Sequence, residues 1–171
     1  MTKDIRLELI KGDITSLQVD AIVNAANNSL LGGGGVDGAI HKAAGPALLD
    51  ECRQLKGCET GKARLTKGYK LKAGYVIHTV GPVWSGGIND EPSLLASCYQ
   101  ESLKLAADNK FITVAFPGIS TGVYGFPREL AAMIAVNETK RFLRKNQFPE
   151  KVIFVAFDTE SYTIYRKLLE K

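Results

Sequence analysis

Two glycine-rich stretches and the acidic side chains beside them are the parts of this chain best suited to chemistry. The first stretch is Asn24-Ala-Ala-Asn-Asn-Ser-Leu-Leu-Gly-Gly-Gly-Gly-Val-Asp-Gly38, and the second is Pro117-Gly-Ile-Ser-Thr-Gly-Val-Tyr-Gly125. Glycine lacks a Cβ, so its amide can approach a ligand closely and take up positive φ. Amides converging near a helix N-terminus make a site for phosphate. Tight turns would explain either loop alone. Four successive glycines, Gly32 to Gly35, are costly in chain entropy, and a second glycine loop accompanies them. The pair points to a diphosphate held from both sides.

Asp37 follows the glycines and opens a helix, so N-capping is its plainest role. That role conflicts with a chemical one, because a carboxylate occupied by its own backbone cannot serve a substrate. Asp13, in Gly12-Asp-Ile-Thr15, has the same two readings. It either caps the turn before Thr15 or accepts a hydrogen bond from an exocyclic amine.

The elements that must position these residues alternate between strand and helix. Strands are expected at 5–10, 19–24, 63–67, 75–80, 112–116 and 152–157, from short β-branched or apolar runs. Helices are expected at 37–54, interrupted by Pro46 after Gly45, at 92–108, and from Pro127 to about Asn146. A closing helix puts Tyr162, Tyr165, Leu168 and Leu169 on one face. Buried strands alternating with helices imply an α/β fold in three layers, with a largely parallel sheet. Both glycine loops then run from a strand end into a helix, where ligands of open α/β sheets bind.

At 171 residues the chain fits one domain, 1–171, without repeats or linkers. Apolar residues at 45% and charged residues at 23% are those of an ordinary globular protein. No apolar run is long enough to span a bilayer, and MTKDIRLELI is not expected to be a signal peptide. Three cysteines without a secretory signal suggest reduced thiols and a cytoplasmic location. The net charge of +4 suits an anionic ligand, but no basic stripe with interleaved aromatics argues for nucleic acid.

Other motifs fail on context. Gly33-Gly-Gly35-Val-Asp-Gly38 fits G-x-G-x-x-G, yet about eight residues separate it from its strand and no acidic strand end follows. Gly57-Cys-Glu-Thr-Gly61-Lys62 is one residue short of a P-loop. Cys58 and Arg64 fit the C-x5-R spacing of cysteine phosphatases, but the strand follows the motif where it should precede it. His41, four residues after Asp37, either orients it or simply packs, and His78 alternates with Val76 and Val80 as a hydrogen-bonded core residue. No Cys/His cluster has zinc-ligand spacing, so neither metal nor cofactor is expected.

Gly12-Asp-Ile-Thr15, Val23-Asn-Ala-Ala-Asn27, Gly32 to His41, His78-Thr-Val-Gly-Pro82 and Ile119 to Gly125 together resemble the macrodomain family. The similarity is to its MacroD-type branch, which contains bacterial O-acetyl-ADP-ribose deacetylases and mono-ADP-ribosyl hydrolases. The resemblance implies a mixed six-stranded sheet between helices and binding of ADP-ribose and its esters, including mono-ADP-ribosylated proteins; a monomer is expected. It implies that Asp13 and the Ile14 amide hold adenine, with Phe157 packing nearby. Gly35, Val36 and the segment Ser120, Thr121, Gly122, Val123 and Tyr124 would bind the diphosphate. Asn27 and Asp37 would face the distal ribose, with Tyr124 over it. Gly118 departs from the Ala, Ser or Cys expected before Ile119, which would loosen the second loop.

Given that placement, Asp37 and Asn27 are the expected catalytic pair. An ionised carboxylate is a poor general acid but can orient or deprotonate a water. An ester leaving group needs little protonation, and Asn27 offers a donor and an acceptor to sugar hydroxyls. A non-catalytic ADP-ribose reader would use the same loops, but it would not need that pair at the distal sugar. A module that binds a protein partner has no exposed apolar stripe or charged tail to support it.

Overall fold

A computed structural model describes residues 4–171. The elements run β1 (Leu7–Lys11), β2 (Ala21–Ala26), α1 (Gly35–Ala44), α2 (Pro46–Leu55), β3 (Ala63–Lys67), β4 (Tyr75–Val80), α3 (Glu91–Asp108), β5 (Thr113–Phe116), α4 (Arg128–Lys145), β6 (Lys151–Ala156) and α5 (Thr159–Leu169). The strands form one six-stranded sheet in the order β1-β6-β5-β2-β4-β3. All neighbouring pairs are parallel except β3 with β4, which makes the sheet mixed, as expected.

Two cores sandwich the sheet. On one face α1 and α2 contribute Ile40, Leu48 and Cys52 against Ile22, Val76 and Val80. On the other, α3, α4 and α5 contribute Leu103, Ala135 and Tyr165 against Val23, Ile77 and Phe154. Successive strand residues point to opposite faces, so the alternation of Ile22 with Val23 and Val76 with Ile77 feeds both cores. That is why these strands read as continuous apolar runs. On α5, Ile164 packs against the core beside Leu168 and Leu169, while Tyr162 is half-buried.

Three boundaries differ from the sequence expectation in ways that bear on the site. Strand β2 starts and ends two residues later than expected, because Val19 and Asp20 belong to a turn that bonds Gly74 and Thr113. Asn24 therefore lies inside the strand, fully buried, and not in the glycine loop. Helix α1 begins at Gly35, two residues early, which places Asp37 inside its first turn. Ile14–Ser16 form a short 3-10 turn that the sequence did not announce. The expected break between α1 and α2 is present: Gly45, at φ +85°, ends one helix and Pro46 starts the next.

Candidate active site

Strands β2 and β5 are parallel neighbours, so the loops leaving their C-terminal ends emerge side by side. From there the chain departs to opposite faces of the sheet, into α1 after β2 and into α4 after β5. Such a divergence opens a crevice at the sheet edge. A cleft of about 690 Å³ lies there, lined by both glycine loops. Asp13 and Ile14 border it, as do Phe157 and Tyr165. All the residues assigned to binding or catalysis from the sequence line this one cleft.

The first loop is wired by side chains. Asn27 donates from Nδ2 to the Gly32 carbonyl at 2.9 Å, while its Oδ1 accepts from Ser29 Oγ at 2.7 Å and the Leu30 amide at 3.1 Å. Its acceptor is thus spent within the loop. The expectation that Asn27 offers both a donor and an acceptor to a sugar is corrected to one remaining N–H, since a primary amide has two. Asn28 ties the same loop to the Cys58 carbonyl and to Thr60 Oγ1 at 3.0 and 3.2 Å.

Beyond the glycines, α1 has Gly34 at its N-cap and no side-chain cap, so its first-turn amides stay free for an anion. Asp37 does not cap the helix, contrary to its plainest reading. Its Oδ1 accepts from Asn24 Nδ2 at 2.9 Å, and its Oδ2 is buried without a partner. His41 Nε2 lies 3.4 Å from Oδ1 but makes no aligned hydrogen bond. Gly33 lies close to both Asp37 and Asn27: an added Cβ would stand 3.2 Å from Asp37 Oδ2 and 3.5 Å from Asn27 Nδ2.

The second loop is held through its backbone. Gly125 N–H donates to Gly122 O at 3.0 Å and Phe126 N–H to Ser120 O at 2.9 Å. The amides between Ser120 and Tyr124 take no part as donors in these bonds. Ser120 is in the left-handed region at φ +66°, sparsely populated for a residue with a side chain. Trp84, on the segment after β4, donates its backbone N–H to Tyr124 O at 2.8 Å and packs its ring with its centroid 4.7 Å from that of Phe126. That segment is anchored in turn by Glu91, buried at the start of α3. Its carboxylate accepts from the amides of Ser85, Gly87 and Asn89 at 2.6, 3.0 and 2.6 Å. Burial alone would raise the Glu91 pKa, but these N–H groups hold it below the usual carboxylate value.

At the other end of the cleft, Asp13 takes up its capping role with one oxygen only. Oδ1 caps the 3-10 turn through the Thr15 amide and hydroxyl at 2.9 and 2.7 Å, and Oδ2 makes no such bond. The Phe157 ring is 86% exposed, far more than a large apolar side chain needs to be. Arg128, which sequence reasoning missed, lines the cleft and pairs with Asp158 at 2.9 Å. Its position just after Pro127 at a helix start was the available signal. Gly81, also without an assigned role, packs so closely that an added Cβ would lie 2.1 Å from Ser120 Oγ.

Outside the cleft, Cys58 is no activated nucleophile, since burial pushes its thiol pKa up against the pull of Arg64. Among the described residues, no cluster of His, Cys, Asp or Glu could hold a metal ion, and no helix is long and apolar enough to cross a membrane.

The model of the Macro domain family matches residues 23–135, which includes both loops. A Salmonella newport protein named O-acetyl-ADP-ribose deacetylase is 58% identical over 96% of this chain and 94% of its own length. The mouse protein named ADP-ribose glycohydrolase MACROD2 is also 58% identical over 97% of this chain, which spans 35% of that longer protein. Among solved structures, a Trypanosoma brucei macrodomain in complex with ADP-ribose superposes with a TM-score of 0.91 at 48% identity, covering 96% of this chain and 69% of that one.

Proposed function

The chain belongs to the Macro domain family, and on that premise we propose that it binds ADP-ribose along the cleft and hydrolyses esters at the distal ribose. Adenine lies by Asp13 Oδ2 and the Ile14 amide, against Phe157. The diphosphate takes N–H groups from Gly35 and Val36 on one side and from Ser120, Thr121, Gly122, Val123 and Tyr124 on the other. The distal ribose then sits beside Asn27 and Asp37, under Tyr124.

One observation carries the hydrolytic reading over that of a passive reader. Asp37 keeps one oxygen fixed by Asn24 and the other buried, unpaired and set against Gly33 at the cleft. An unpaired buried carboxylate oxygen is costly until a bound group satisfies it, and beside the distal ribose a water held for attack is such a group. In the reaction, water bonds to the acyl carbon while its proton passes to Asp37 Oδ2. The bond from that carbon to the ribose oxygen breaks, and the ribose oxygen takes that proton from Asp37 Oδ2, which returns to a carboxylate. ADP-ribose and a carboxylic acid result.

The substrates in this reading are O-acetyl-ADP-ribose and mono-ADP-ribose on acidic side chains of proteins, which present the same ester. The protein works as a monomer in the cytoplasm; its three cysteines are free thiols, which suits a reducing compartment. Incubation with each ester while following ADP-ribose release, beside calorimetry with ADP-ribose, tests the proposal. Binding with release from at least one ester is expected. Binding without release would make the protein a reader, and absence of binding would overturn the proposal.

A further inference from the structure

A buried chain of hydrogen bonds runs behind Asp37. Asn24 on β2 and His78 on β4 are register partners in the sheet, and both are fully buried. Asn24 Nδ2 lies 2.9 Å from Asp37 Oδ1 and 3.1 Å from His78 Nδ1. His78 Nε2 lies 2.9 Å from Thr66 Oγ1 on β3, and Thr66 Oγ1 donates to the Lys67 carbonyl at 3.2 Å.

Chemistry fixes the direction of every bond in this chain. A carboxylate only accepts, so the Asn24 atom facing Asp37 must be its NH₂ group. The second hydrogen of that group is directed at His78 Nδ1, which must therefore be the unprotonated ring nitrogen. Nε2 then carries the ring hydrogen and donates to Thr66 Oγ1, whose own hydrogen is committed to Lys67.

We propose that His78 is a positioning residue for the hydrolysis: by accepting one Asn24 hydrogen it turns the other onto Asp37 Oδ1 and leaves Oδ2 as the oxygen that serves water. The inference rests on the reading that Asp37 is the catalytic carboxylate. Burial, with His41 nearby, lowers the His78 pKa to about 3, which keeps the ring neutral wherever the enzyme would be assayed. Thr66 is the second lever. Without its hydroxyl, nothing holds the hydrogen on Nε2 except Cys52 Sγ at 3.9 Å, and burial keeps that thiol protonated by raising its pKa to about 11.

The test is steady-state hydrolysis of O-acetyl-ADP-ribose, calorimetry with ADP-ribose and thermal melting, on wild type, Asp37→Ala, His78→Leu, His78→Asn and Thr66→Val. His78→Leu is expected to lower kcat roughly tenfold or more, because a displaced catalytic group loses its alignment, while ADP-ribose affinity stays within about threefold. His78→Asn, which restores an acceptor near the Nδ1 position, should recover most of the loss. Thr66→Val, close to an isostere, should lower kcat severalfold with His78 in place. It decides the matter together with His78→Asn if His78→Leu does not fold. A large Asp37→Ala loss with wild-type kcat in folded His78 and Thr66 variants overturns the proposal alone. Equal turnover by wild type and Asp37→Ala would remove the underlying reading and the proposal with it.

Discussion

The two glycine loops of the cleft are built on opposite principles. The loop after β2 is held by side chains: Asn27, Asn28 and Ser29 all bond within it or to the neighbouring 58–60 segment, and Asn24, His78 and Thr66 back the carboxylate that follows. The loop after β5 is held by backbone bonds, a left-handed Ser120 and the packing of Trp84 on Phe126. The difference suits a division of labour. A diphosphate needs only N–H groups, which the backbone supplies whatever the side chain, whereas a reaction needs one oxygen held in one place. Substitutions at Asp37 and the side chains that back it should therefore act on turnover, and those around the second loop on affinity.

The sharpest separation should come from Asp37→Ala, which is expected to cut kcat by about a hundredfold or more, the range for a general base, while ADP-ribose affinity moves less than about threefold. Gly81→Ala should do the reverse. The new Cβ would press on Ser120 Oγ and lie 2.7 Å from Ile119 Cγ2, displacing the second loop without reaching Asp37. Calorimetry should show affinity weakened about tenfold with kcat at saturation nearly kept; a kcat loss alone would break the comparison.

Between pH 7 and 5 acid should act on the first region, because Glu91, which anchors the segment beside the second loop, is held below the usual carboxylate value and stays ionised there. His78 is more acidic folded than unfolded, so its contribution to stability is complete above the unfolded pKa of 6.5 and is lost as pH falls towards 3. Its slope is about 1.4 kcal/mol per pH unit. Facing His78 are His41, Cys52, Thr66 and Asn24, with Asp37 one bond further on. Urea unfolding of wild type and His78→Asn between pH 7 and 5 should show the slope in the former and its loss in the latter. The smallest effect is expected from Ser120→Gly. It relieves the left-handed strain but adds unfolded-chain entropy, so stability should change by less than about 1 kcal/mol and affinity should not change. A large affinity loss there would mean that the Ser120 hydroxyl is a ligand contact.

The strands were legible because buried runs such as Val152 to Ala156 are apolar on both faces, and the Gly45-Pro46 break because both residues have fixed backbone habits. The two loops were legible as a pair. His78 was legible as a hydrogen-bonded core residue, which it is, but its pairing with Asn24 was not, because that arises from a register between β2 and β4, and register across a parallel pair joined by some fifty residues leaves no local trace. For Asp37 the sequence alone left capping and a chemical role both open; its partner on another strand shows that it does not cap. Asn27 was half legible: its place beside Asp37 was, but not the bonds to Ser29 and Leu30 that use up its acceptor. Gly118 has a modest consequence, since a Cβ there would meet only Thr121 Oγ1, at 3.0 Å, a group able to rotate away.

The most direct test of the account is a crystal structure of the protein soaked with ADP-ribose. The diphosphate should lie within hydrogen-bond distance of amides from both loops, with the distal ribose against Asp37 Oδ2. A nucleotide bound to only one loop, or with its distal ribose turned away from Asp37, would contradict it.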